Sequence, residues 1–172
     1  MYNQNQPMYL VNAETLENLM RKIISEEIGI LTKKINKIPK LAKEYGLSEE
    51  TIRHLLDRYG SLFDEVLAPA KEDTSLLEPL IEGLLYIKAE ALYAITHEAA
   101  LTIDDLLSRR TRIAFEANDS GLSVTTYLGE LLGKLAGLGK KEITKSITEY
   151  EQIILRQKKN LERATQIESK VS

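Results

Sequence analysis

Cysteine is absent from the 172 residues, which excludes thiol catalysis, disulfides and cysteine-ligated zinc. Tryptophan is absent too, and histidine occurs only at His54 and His97, so groups that titrate near neutral pH are scarce. No stretch approaches the roughly 18 consecutive apolar residues of a membrane span. The opening MYNQNQPMYLVNAE has neither the basic flank nor the apolar run of a signal peptide. Nothing argues for secretion, and the expected setting is cytoplasmic. The net charge of -3 offers no general attraction to nucleic acid or to an anionic membrane. No G-x-G-x-x-G fingerprint occurs, so the chain has no dinucleotide-binding unit of its own. Alternating strand patterns are nearly absent.

What is present is helical periodicity. Residues 1–12 read as a disordered or appended N-terminus. Leu16, Leu19, Met20, Ile23 and Ile24 then recur at helical spacing, giving a helical extension over 13–38. Pro39 predicts a break in the lysine-rich stretch Thr32–Tyr45, Gly46 a helix end, and Ser48 the next N-cap. Further helices are expected over Leu47–Tyr59, Ser61–Leu67, Leu80–Ala100, Thr102–Asn118, Val124–Leu138 and Glu142–Ser169. Gly129, Gly133 and Gly137 share an edge that a neighbour could approach closely. The last helix repeats Ile143, Ile147, Tyr150, Ile154 and Leu161 at near-heptad spacing. The expected architecture is an all-α multi-helix bundle with antiparallel central helices and a long C-terminal helix. Residues 39–169 form its main domain.

The central pair of helices concentrates the charged residues. On a wheel of 100° per residue, Glu98 falls among Leu84, Ile87, Ala91, Ala94 and Ile95, while Arg110 falls among Ile103, Leu106, Leu107, Ile113 and Ala114. A lone buried charge costs several kcal/mol, so two facing charges of opposite sign predict each other. Glu98 and Arg110 are therefore expected to form a structural ion pair near a turn at Leu101–Thr102. Thr102 and Asp105 make a capping box opening the second helix. Tyr86, Glu90, Tyr93 and His97 form a second stripe, and with Arg109 and Arg112 they make a candidate domain-docking surface. The alternative for these six is a solvated edge with ordinary i,i+4 pairs.

Three motif resemblances fail on chemistry. His97-Glu98 would need a second histidine where Leu101 stands to form a zinc-binding HExxH. In Gly137-Leu138-Gly139-Lys140, a phosphate loop would need glycine in place of Lys134 and Ser or Thr in place of Lys141. Leu41–Ile52 has the outline of a helix-turn-helix, but Glu49 and Glu50 open the would-be reading helix and repel phosphates. No residue is read as catalytic, cofactor-binding or metal-ligating, and no nucleic-acid partner or membrane insertion is expected.

The segment His97-Glu98-Ala99-Ala100-Leu101-Thr102-Ile103-Asp104-Asp105-Leu106-Leu107-Ser108-Arg109-Arg110-Thr111-Arg112 resembles the hallmark of one family. So do His54-Leu55-Leu56-Asp57-Arg58-Tyr59-Gly60-Ser61 and Glu90-Ala91-Leu92-Tyr93, in the right order. Over about Lys40–Gln166 the chain is similar to the C-terminal helical domain of FAD-dependent, quinone-linked (aerobic) glycerol-3-phosphate dehydrogenase. The resemblance implies an accessory domain, inactive alone, whose partner is an N-terminal FAD-binding catalytic domain on the same chain or a split subunit. It implies FAD in the parent enzyme, none held by this chain, and a parent that is peripheral at the inner face of the cell membrane. Homo-oligomer contacts are compatible with the last helix. The alternative is a stand-alone helical interaction protein or DNA-binding regulator.

Overall fold

The computed structural model describes residues 13–171, so the expectation for residues 1–12 lies outside the described residues. Side chains are described over 16–164, apart from 27, 30, 31, 34 and 35. The described residues are helical, with no β-strand among them. They divide into two compact units at Phe63 and Asp64. The sequence places its boundary near residue 38 instead, and the difference has a simple origin. The helix Ile38–Tyr45 packs on the helix Glu49–Tyr59, and the helix Ala13–Ile35 touches the latter and the turn after it, so contacts bind the N-terminal helices together.

The first unit holds α1 (Ala13–Ile35), α2 (Ile38–Tyr45) and α3 (Glu49–Tyr59). Pro39 sits in the first turn of α2, where its missing N–H is not needed, so the break falls just before it at Asn36–Lys37. Gly46 ends α2 at φ +67°, and the Ser48 hydroxyl accepts the Thr51 N–H at 3.0 Å to open α3. Ile52, Leu55, Leu56 and Phe63 are buried, and Tyr45 meets Phe63 edge-on. In contrast, the apolar stripe of α1 is exposed from Leu16 to Ile28.

The second unit begins with short turns and α4 (Phe63–Leu67), whose first residue belongs to the other unit. Helix α5 runs over Lys88–Thr96 only. The preceding residues, expected to be its first two turns, form a tight loop instead. Pro79 pairs with Ile87, the Leu80 N–H donates to the Tyr86 carbonyl at 2.8 Å, and Gly83 takes φ +86°. A glycine in that conformation turns the chain back, which an α-helix does not allow.

After α5 comes a π-helical turn over Asp105–Arg110, then α6 (Ile113–Glu116). A single helix to Asn118 is the expectation, and Thr111 explains the interruption. It is buried and extended, and both its N–H (3.0 Å) and its hydroxyl (2.8 Å) reach the Leu106 carbonyl five residues back. That closure draws the chain into a π turn and then out of helix.

Helices α7 (Thr125–Ala136) and α8 (Lys140–Val171) complete the unit. A Cβ on Gly129 would lie 2.7 Å from Ile143 Cγ2, and one on Gly133 2.9 Å from Ile143 Cδ1, so both glycines admit α8. Gly137 serves differently, ending α7 at φ +72° with open space around it. The core joins Ile95, Ile103, Leu106, Leu107 and Ile113 to Leu128, Leu132, Tyr150 and Ile154. The Tyr150 hydroxyl donates to the Ser120 carbonyl. Over residues 155–164 the side chains of α8 are exposed, Leu161 among them.

Candidate functional site

The segment His97–Arg112 begins where α5 unwinds. Ala99 adopts φ +55°, a left-handed conformation costing a non-glycine residue about 1–2 kcal/mol. It lets the Ala100 N–H turn back to the Ala94 carbonyl at 3.0 Å. Arg110 holds this turn from the other side. Its Nε and Nη2 donate to the backbone carbonyl of Glu98 at 3.2 and 2.9 Å, while the Glu98 carboxylate Oε2 lies 3.5 Å from Nε. The side chains are 36% and 31% exposed, so the pair sits at the edge of the core rather than at its centre. Oε2 itself is buried without a hydrogen bond among the described residues. The wheel brings the two residues together but misses the acceptor, because a wheel carries no information about backbone carbonyls freed at a helix end.

The start of the next helical segment is closed by three side chains. Asp105 Oδ2 accepts from the Leu101 and Thr102 N–H groups at 3.2 and 3.1 Å, and Thr102 Oγ1 accepts from the Asp105 N–H at 3.0 Å. The Ile103 N–H is met by Ser146 Oγ at 2.9 Å, from α8, 43 residues away. Ser146 carries no sequence signal for this role, since a distant cap follows no local spacing. The exposed Arg109 spans the partly buried Asp105 and Asp104 at 3.0 and 3.2 Å, and the exposed Arg112 lies 3.4 Å from Glu116; with both guanidiniums in water these pairs carry small energetic weight.

Half of the six-residue candidate docking surface is buried. Glu90 is 0% exposed, and its carboxylate accepts the Ile87 N–H at 2.8 Å, capping the start of α5. Tyr86 is buried with its hydroxyl donating to Glu116 at 3.2 Å. Tyr93 is buried as well, stacked flat on the His97 ring at a centroid distance of 4.4 Å. Burial, reinforced by Glu65, raises the Tyr93 phenol above its ordinary value. The wheel errs at Tyr86 because residues 80–87 are not helical, and at Glu90 and Tyr93 because α5 is covered on nearly every side, with Ala89, Ala91, Ala94 and Ile95 buried as well. His97, Arg109 and Arg112 remain exposed; His97 Nε2 lies 3.4 Å from Glu65 and its Nδ1 2.7 Å from the Thr96 hydroxyl.

A flavin dinucleotide does not fit these residues. The cleft of about 450 Å³ between Ile81–Leu84 and Glu116–Asp119 carries Glu82, Glu116 and Asp119, the same sign as a pyrophosphate. At the start of α8, where a helix N-terminus could take a phosphate, the Gly139 N–H is already held by Glu142 Oε2 at 2.7 Å.

Residues 28–143 match the family model described as the C-terminal domain of alpha-glycerophosphate oxidase. The chain is 36% identical over 132 residues to glycerol-3-phosphate dehydrogenase of Mycobacterium leprae, covering 74% of this chain and 23% of that protein. It is 38% identical over 116 residues to glycerol-3-phosphate dehydrogenase 2 of Mycobacterium tuberculosis, covering 67% and 20%. With the Synechocystis glycerol-3-phosphate dehydrogenase the identity is 32% over 111 residues, covering 63% and 20%. The chain thus spans about a fifth of the length of these curated relatives. No solved structure matches. With two thirds of its length in the matched segment, the chain belongs to the family of the C-terminal domain of alpha-glycerophosphate oxidase.

Proposed function

We propose that this chain is the helical accessory domain of an FAD-dependent glycerol-3-phosphate dehydrogenase. It serves a flavin-binding catalytic domain carried on the same chain or on a separate subunit. The intact enzyme oxidises sn-glycerol 3-phosphate to dihydroxyacetone phosphate, with the flavin supplying the redox chemistry that side chains lack. Its setting is the cytoplasm, with the parent enzyme peripheral at the inner membrane face; no helix among the described residues is long and apolar enough to cross a membrane.

One observation carries this reading. Within His97–Arg112, Arg110, Thr102, Asp105 and Thr111 are committed to backbone groups of the same domain. Such a segment builds a scaffold rather than a reacting centre. His97, Arg109 and Arg112 are themselves exposed, and their carboxylate partners Glu65, Asp104, Asp105 and Glu116 hold them through water-accessible ion pairs that a new partner can displace at modest cost. These three are the part of the surface offered to the catalytic domain.

Reconstitution tests the reading. The chain alone is expected to show no flavin absorbance band and no dye reduction with sn-glycerol 3-phosphate. Mixed with a separately expressed flavin-binding domain, it is expected to form a complex and to raise that domain's activity. Activity of the chain alone would contradict the accessory role. Failure to associate, or salt-sensitive DNA binding, would point to a stand-alone interaction protein or a DNA-binding regulator.

A further inference from the structure

We infer that α1 is a self-association surface, on which two copies of this chain pair their α1 helices antiparallel about Ile24. Helix α1 is fastened to α3 and to the turn Gly60–Leu62, yet Leu16, Leu19, Met20, Ile23, Ile24 and Ile28 are 48–59% exposed along one face. An amphipathic helix ordinarily turns such a face to a core. The six side chains leave roughly 600 Å² uncovered per copy, so a pair buries about 1,200 Å², above the ~1,000 Å² that a specific interface requires.

Charge selects the occupant and its direction. Glu17 lies near one end of α1, paired with Arg21 one turn on at 2.7 Å, and Lys33 lies near the other end. An antiparallel pair centred on Ile24, the midpoint of the helix, brings Glu17 of each copy to the Lys33 end of its partner. The same arrangement sets Met20 opposite Ile28 on both sides of an Ile24–Ile24 contact. A parallel pair stacks like charges on like at both ends.

One other occupant fits less well. A membrane surface favours a polar face rich in Lys and Arg, whereas α1 carries four acidic and four basic residues. The match to the family model begins at Ile28, so five of the six stripe residues precede it.

The test is the mass of the full chain in solution, by light scattering or sedimentation at up to about 100 μM, well above micromolar dissociation constants. Wild type is expected at twice the chain mass of 19.5 kDa. Ile24→Glu is expected to halve that mass with helical circular dichroism retained, while Phe115→Glu, an exposed apolar position outside α1, leaves it doubled. A monomeric wild type, or a dimer that survives Ile24→Glu, overturns the proposal. Because the chain has no cysteine, single substitutions report direction. Ile24→Cys should cross-link two copies under oxidation and Leu16→Cys should not. Efficient cross-linking through Leu16→Cys overturns the antiparallel arrangement.

Discussion

Arg110 ties the core edge through a backbone carbonyl, and this makes its two partners unequal. Arg110→Leu removes two hydrogen bonds to the Glu98 carbonyl and strands the half-buried Glu98 carboxylate, a loss of about 2–3 kcal/mol. Glu98→Gln leaves the carbonyl in place and should cost under about 1 kcal/mol. Urea unfolding of the two variants compares them directly; equal losses would show that the carboxylate carries the tie. Tyr150 offers a second test at this scale. Burial, with Asp104 and Asp119 nearby, pushes its phenol up to about 12. The unfolded phenol ionises near pH 10, so this stabilisation is complete below about pH 10 and is lost as pH rises toward 12. The chain should lose on the order of 1–2 kcal/mol across that window beyond what Tyr150→Phe loses. Matching alkaline slopes for the two proteins would refute the assignment.

Helix ends, glycine contacts and loops decide the elements. Gly129→Ala places a methyl 2.7 Å from the branched Cγ2 of Ile143, which cannot swing aside as the end of a flexible chain would. The substitution gains about 1 kcal/mol of helix propensity but should still destabilise by roughly 1–2 kcal/mol, read from a lowered melting temperature. A neutral or stabilising Gly129→Ala would mean that α7 and α8 approach less closely. The same elements show what could be read beforehand. Pro39, Gly46, Ser48 and the Thr102–Asp105 box announce their roles because each acts within a few residues of itself. Gly129 and Gly133 announce a close approach, though not the identity of Ile143 as its visitor. The loop over residues 80–87 escaped because Leu84 and Ile87 keep helical spacing while the backbone bonds that refute a helix run from the Leu80 N–H to the Tyr86 carbonyl and from the Lys88 N–H to the Glu78 carbonyl. Thr111 escaped for a related reason, since a π closure leaves no periodic mark over six residues. The first of these misses put Tyr86 outside, while Glu90 and Tyr93 were misplaced because α5 is covered on nearly every side. Ser146 was out of reach altogether, a cap reaching in from α8.

For the whole molecule, the account separates scaffold from contact surface. The charged segment that looks most like a site is largely occupied with holding its own turns, and its exposed remnant is narrow: His97, Arg109 and Arg112. If that remnant meets a catalytic domain, reversing its charge should weaken association without unfolding the bundle, because its ion pairs are surface pairs worth about 0–1 kcal/mol each. The most direct measurement is calorimetric titration of the chain, and of its Arg109→Glu/Arg112→Glu variant, with a separately produced flavin-binding domain of a matched dehydrogenase. Saturable binding by the wild-type chain is expected, weakened at least tenfold in the variant, whose helical circular dichroism at the titration temperature matches that of the wild type. No binding by the wild type, or equal binding by both, would contradict it.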